Sequence, residues 1–91
     1  MRFISAEPLL GPLTGLNLTG IDWLIIGGES GPGHRPMDPT WVRDLVAAAR
    51  ATGTAVFVKQ GSGPRPGQQY GLPDDLWAIK EWPRGWEAPD A

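Results

Sequence analysis

Ninety-one residues with a formal net charge of −2 and no cysteine leave room for one small domain and exclude several classes of protein. The acidic balance argues against a chain built to hold nucleic acid, which shows a basic face, and the missing thiols exclude disulfides, zinc–thiolate sites and iron–sulfur ligation within this chain. A hydrophobic share of 41% is that of a globular chain, and no run nears the roughly 20 apolar residues of a membrane span.

The opening Met1-Arg2-Phe3-Ile4-Ser5 lacks the long apolar core of a secretory signal, which makes a cytoplasmic protein the expectation. Residues 2–7 read as a first strand that stops at Pro8. The link from Leu9 to Gly20 is near the minimum for a parallel crossover, about 10–12 residues. Its glycines and proline argue against a long helix, and its leucines are expected to cover one face of a sheet. Residues 22–27 form the second strand, followed by a turn-rich loop from Gly28 to Met37. A helix then announces itself. Asp38 is a good N-cap and Pro39 suits the first helical position. Val42, Leu45, Val46 and Ala49 make one apolar stripe at helical spacing, with Trp41 beside it and Arg43, Ala47 and Arg50 facing away. Gly53 ends the helix.

Residues 55–59 form the third strand. Residues 61–73 hold Gly, Pro, Ser and Gln with little apolar content and are expected to be a mobile loop. Pro73–Leu76 resembles a capped turn, and Trp77–Trp82 alternates like a half-buried strand. Continuous apolar runs separated by crossovers predict parallel strands buried on both faces. The fold class is therefore α/β: three parallel strands, one clear helix and an irregular tail rich in Trp and Pro, within a single domain over 1–91.

In parallel α/β sheets, ligands and chemistry sit at the carboxyl ends of the strands. Those ends here carry Glu7, then Glu29 and Ser30, then Lys59 and Gln60, which together form the candidate site. Counting by two, Phe3, Ser5 and Glu7 share a face, as do Trp23, Ile25, Gly27 and Glu29. With strands about 4.8 Å apart, the two carboxylates can converge on one pocket, where repulsion raises one pKa and the pair serves as acid and base or holds a divalent cation. Alternatively, each accepts backbone N–H groups from the turn that follows. Lys59 is expected in a buried ion pair with these carboxylates. The glycine-rich stretch 27–35 lacks both the Gly-Lys-Ser/Thr and the dinucleotide spacing, and Asp38 repels an anion at the helix start. Arg35 is the candidate anion contact, His34 reads as an exposed loop histidine, and no metal site is assigned. Trp23 and Trp41 fit the core; Trp77, Trp82 and Trp86 pack across the sheet or form a recognition surface.

The segments RFISAEPLLGPL (2–13), IDWLIIGGESGPGHRPMDPTWVRDL (21–45), VFVKQ (56–60) and LPDDLWAIKEWP (72–83) resemble the carboxyl-terminal portion of a phage-associated family of unknown function. The resemblance implies a partial (β/α) barrel distantly related to radical S-adenosylmethionine enzymes, whose full-length members carry an amino-terminal three-cysteine cluster suited to an iron–sulfur cluster. An iron–sulfur cluster and S-adenosylmethionine are thus implied for the full-length relatives, and no cofactor for this chain. The expectation is a truncated or split carboxyl-terminal part, without activity alone, giving Glu7, Glu29 and Lys59 to a site that another chain completes. Its compartment is then the host cytoplasm. Partners are self-association or a second polypeptide completing the sheet, since unpaired strand edges template further pairing. An independent small binding module is the alternative.

Overall fold

A computed structural model of the protein describes residues 1–86; the last five residues of the expected 1–91 domain lie outside the described residues. The three apolar runs become strands β1 (Phe3–Ala6), β2 (Trp23–Gly27) and β3 (Ala55–Gln60), with helices α1 (Pro39–Thr52) and α2 (Asp74–Trp77) between and after them. The sheet is parallel with order β1-β2-β3. Its register aligns Phe3 with Trp23 and Ala55, and Ser5 with Ile25 and Phe57. At the carboxyl end the register shifts: Ile26 faces Val58 but Gly27 faces Gln60, leaving Lys59 as the extra residue.

One face of the sheet carries the core. Ala6, Leu24, Ile26, Val56 and Val58 are buried against Val42, Leu45 and Ala49 of α1. Leu9 and Leu18 of the link, with Met37, Leu72 and Leu76, close the rim of that core. Leu10 and Leu13 of the same link stay exposed. The caps of α1 are those its sequence prescribes. Asp38 accepts the Thr40 N–H at 2.8 Å, and Gly53 takes the left-handed conformation (φ 70°) that a side chain disfavours. Just beyond it, buried Thr54 gives its hydroxyl to Ile21 O at 2.9 Å, tying the helix end to the start of β2.

The strands are not buried on both faces. The opposite face, with Phe3, Ser5, Trp23, Ile25 and Phe57, is open or only half-covered, because the single long helix among the described residues lies on one side. The apolar runs are continuous because this uncovered face is itself apolar. Trp23 accordingly lies on the open face, whereas Trp41 packs against the core as expected.

Only part of the expected strand 77–82 forms. Trp77 ends α2, and then Ile79–Glu81 runs antiparallel along β3: Val58 N–H donates to Ile79 O and Glu81 N–H to Val56 O, both at 2.8 Å. This strap occupies the outer edge of β3. β1 keeps its outer edge unpaired among the described residues. The glycine- and proline-rich segment 61–73 is irregular yet carries many hydrogen bonds: Gly61 N–H to Gln68 O, Gly63 N–H to Glu29 O, Arg65 N–H to the Tyr70 hydroxyl, and Gln69 to Leu72 O. Among the described residues, no helix is long and apolar enough to cross a membrane.

Candidate functional site at the strand carboxyl ends

Glu7 follows β1 on the open face and leans across the end of the central strand. Gly27 makes this approach possible, since a Cβ there would fall 2.6 Å from the Glu7 carboxylate oxygen Oε2. Beyond Gly27 the carboxylate meets the ammonium of Lys59 at 3.3 Å. The pair thus bridges β1 and β3 above β2. It is not the buried ion pair the sequence predicts, because the Lys59 side chain is 51% exposed against 26% for Glu7. The register shift leaves Lys59 as the extra residue at the strand end, where its side chain is half exposed.

Below the pair lies a trough of about 290 Å³ on the open face, lined by Phe3, Ser5, Glu7, Trp23, Ile25, Phe57, Lys59 and Trp82. Its floor is aromatic. Trp82 stacks on Trp23 with ring centres 5.1 Å apart, and Phe57 meets both edge-on at 6.2 and 5.8 Å. The strap holds this cluster in place. Trp23 Nε1 donates to Glu81 O at 2.9 Å, while the Glu81 carboxylate accepts the Val56 N–H at 2.9 Å and a two-pronged bond from Arg50 at 2.7 Å. Lys80 lies 3.5 Å from the Trp77 ring centre and donates to Val58 O, and burial there pulls its ammonium below the usual lysine range. Arg43 and Asp75 similarly pin α2 to α1, at 2.6 Å.

Glu29 and Glu7 both border a second hollow of about 200 Å³ at the strand ends, with Ser30 and Gln60. Their carboxylates are neutralised separately. Glu29 accepts the Arg35 N–H at 2.9 Å and the Arg35 guanidinium through Nε at 3.0 Å and Nη2 at 2.6 Å. This closes the 29–35 loop on itself. The guanidinium proposed as an anion contact is therefore already engaged by a carboxylate. The strand ends at Gly27, so period-two counting does not carry on to Glu29; Gly28 is buried under the Gly61–Ser62 backbone and the chain turns there. Exposed His34 bonds through Nδ1 to Gly31 O at 3.0 Å, and exposed Ser30 bridges to Gly63.

The hydrogen bonds from Arg35, first its side chain and then its backbone, hold the Glu29 carboxyl down to about 2. A depressed carboxylate contributes stability that is complete above its unfolded value, near 4.5, and disappears as pH falls through about 2. Glu29→Gln is therefore expected to destabilise the fold at pH 7, with the gap from the parent protein closing between pH 4.5 and 2. Denaturant midpoints at several pH values measure this, and a stabilised variant would instead indicate repulsion between Glu7 and Glu29.

Gln60 points the other way from Lys59, into the core side, where it is 2% exposed. Its amide donates to Gly28 O at 2.7 Å and accepts the Gly67 N–H at 3.0 Å. It is a bracket between two loops rather than a wall of the trough. Sequence reasoning missed Glu81, Tyr70 and the specific work of Gly27 and Gly28. Glu81 alternates with Lys80 in a strand-like run, but nothing in that pattern names Arg50 as its partner.

No curated protein and no solved structure matches the chain significantly. The family described as Protein of unknown function (DUF5131) matches residues 1–71, which contain all three strands, α1 and the strand-end residues Glu7, Glu29, Ser30, Arg35, Lys59 and Gln60 but not Trp82 of the trough. With 71 of its 91 residues matched, the chain belongs to the DUF5131 family of proteins of unknown function.

Proposed function

We propose that this chain forms one wall of a (β/α) barrel, giving Glu7 and Lys59 to a site at the strand carboxyl ends that a further polypeptide completes, with no turnover alone. The one-sided sheet carries this reading. In such a barrel, helices lie outside and the inner strand face turns toward the axis, with the functional groups at the carboxyl ends. Here α1 covers one face, while the other bears an aromatic trough headed by a charged pair, and the outer edge of β1 is unpaired among the described residues. The sequence resemblance supports a barrel related to radical S-adenosylmethionine enzymes, in a phage-associated family. Iron–sulfur clusters are held by thiolates, and this chain has no cysteine, so its residues do not fit the cluster and no cluster chemistry is assigned to them.

The strap favours a second reading. By running antiparallel along β3 and stacking Trp82 on Trp23, the chain closes one of its own edges, as an independent binding module does. Solution mass separates the two. Co-expression with the product of an adjacent reading frame that encodes the cysteine cluster, where one is found, is expected to give a stoichiometric complex in which the amides of Phe3–Ala6 exchange more slowly. A compact monomer at about 50 μM, with no complex formed, overturns the barrel-wall reading and leaves the binding module.

A further inference from the structure

The open face is a grid of rows read along the strands. Phe3, Trp23 and Ala55 form the lowest row and Ser5, Ile25 and Phe57 the middle one; at the carboxyl ends the register shifts, and Glu7 and Lys59 meet beside Gly27. Successive rows lie about 7 Å apart, twice the rise per residue. Among the lining residues, charge is thus confined to one end, and the rest offers rings and one hydroxyl; the Lys80 ammonium, outside the lining, lies 5.4 Å from the Phe57 ring centre. The Glu7–Lys59 contact is also unlike the other ion pairs of the described residues. Glu29–Arg35, Asp75–Arg43 and Glu81–Arg50 close at 2.6–2.7 Å and are two-pronged. Glu7–Lys59 is a single contact at 3.3 Å. An ammonium has three donors and a carboxylate about four acceptor positions, so both groups retain unused capacity facing the trough.

We infer that this trough binds a small zwitterion: an ammonium and a carboxylate on one carbon at the charged end, and a flat apolar body over the rings, the make-up of an aromatic α-amino acid. The inference rests on the reading that Glu7 and Lys59 form the site, not on what completes the barrel. A lone cation meets Lys59 and a lone anion meets Glu7, so each carries a repulsive contact. A zwitterion slots its ammonium against Glu7 and its carboxylate against Lys59, replacing one loose contact by two charge-assisted ones. The volume of about 290 Å³ sits at the small end of ligand sites, roughly 300–1,000 Å³, and suits a single amino acid rather than a nucleotide. Head to ring, such a molecule spans about one row spacing, so its ring lies over Ile25 and Phe57.

The test titrates L-phenylalanine into the isotope-labelled protein, alone and in any complex it forms, against phenethylamine, which lacks the carboxylate, and 3-phenylpropionate, which lacks the ammonium. Amide and ring shifts at Ser5, Ile25 and Phe57 are expected with L-phenylalanine, and about tenfold weaker binding with either analogue. Glu7→Gln and Lys59→Met are each expected to weaken binding about tenfold, while Asp44→Asn, at an exposed position of α1, leaves it unchanged. Equal binding of all three probes, insensitivity to both substitutions, or no shifts in either form at about 10 mM L-phenylalanine overturns the inference. A complex that forms without binding the amino acid overturns this inference alone. Binding by a monomer that forms no complex overturns only the barrel-wall reading.

Discussion

Replacing Gly28 by alanine is expected to destabilise the protein by about 3 kcal/mol, the upper end for forcing atoms into a packed site. A Cβ at this position falls 2.5 Å from Ser62 N and 2.8 Å from both Gly61 C and Ser62 Cα. All three are backbone atoms and cannot swing aside. The Gly28 backbone is equally fixed, because its N–H donates to Gln60 O at 3.0 Å and its carbonyl accepts the Gln60 amide at 2.7 Å. Gly27→Ala provides the contrast, since its Cβ meets the far end of the Glu7 side chain, which can move. That variant should lose less stability but displace Glu7 from Lys59. Denaturant unfolding of both variants, with unchanged m, measures the difference. A Gly28→Ala loss below about 1 kcal/mol would mean that the two loops are not locked together as described.

The helix and the strands were legible because each is specified locally. Asp38, Pro39 and Gly53 mark the ends of α1, and its apolar stripe at 42, 45 and 49 names the buried face. What local patterning could not decide is whether a face is covered. Phe3, Trp23, Ile25 and Phe57 are as apolar as the core residues with which they alternate, so the strands read as doubly buried. Coverage depends on how many helices pack on the sheet, a property of the whole chain. The strand-end residues were legible as a set, but their pairing was not. Period-two counting sets Glu29 on the face of Glu7 as though β2 continued, whereas Gly28 turns the chain and Arg35, six residues on, takes the carboxylate.

The strap illustrates the same limit from the other side. The alternation at 77–82 is real, but its first residue belongs to α2 and only Ile79–Glu81 pairs with β3. Three bonds converge on the Glu81 carboxylate, from Arg50 on α1 and Val56 on β3, so tail, helix and sheet are held at one point. These partners lie 31 and 25 residues away. Long-range pairing of this kind leaves no periodic trace in a sequence, and neither does the direction in which a charged side chain leaves its strand. Lys59, which its pattern assigns to a buried pair, therefore lies at the rim.

Gln60, which borders the strand-end hollow, also brackets two loops, and its substitution should have the second large effect. The side chain is buried, and its amide is the partner of the Gly28 carbonyl at 2.7 Å and of the Gly67 N–H at 3.0 Å. Gln60→Leu keeps the size but removes both bonds. Exposed Gly67 can turn to water, whereas the buried Gly28 carbonyl loses its side-chain donor, so the expected loss is about 2 kcal/mol. Gln60→Glu is the sharper test. It keeps an acceptor for Gly67 but sets a second oxygen against the Gly28 carbonyl, which is tolerable only when that carboxyl is protonated and donates. Its folded-state pKa is then raised, so stability is best preserved below the unfolded glutamate value of about 4.3 and falls as pH rises above it. The parent protein has no such dependence at this position. Denaturant midpoints at pH 4 and pH 7 read it directly: a Gln60→Glu variant as stable as the parent at pH 7 would remove Gln60 from the contact between the two loops.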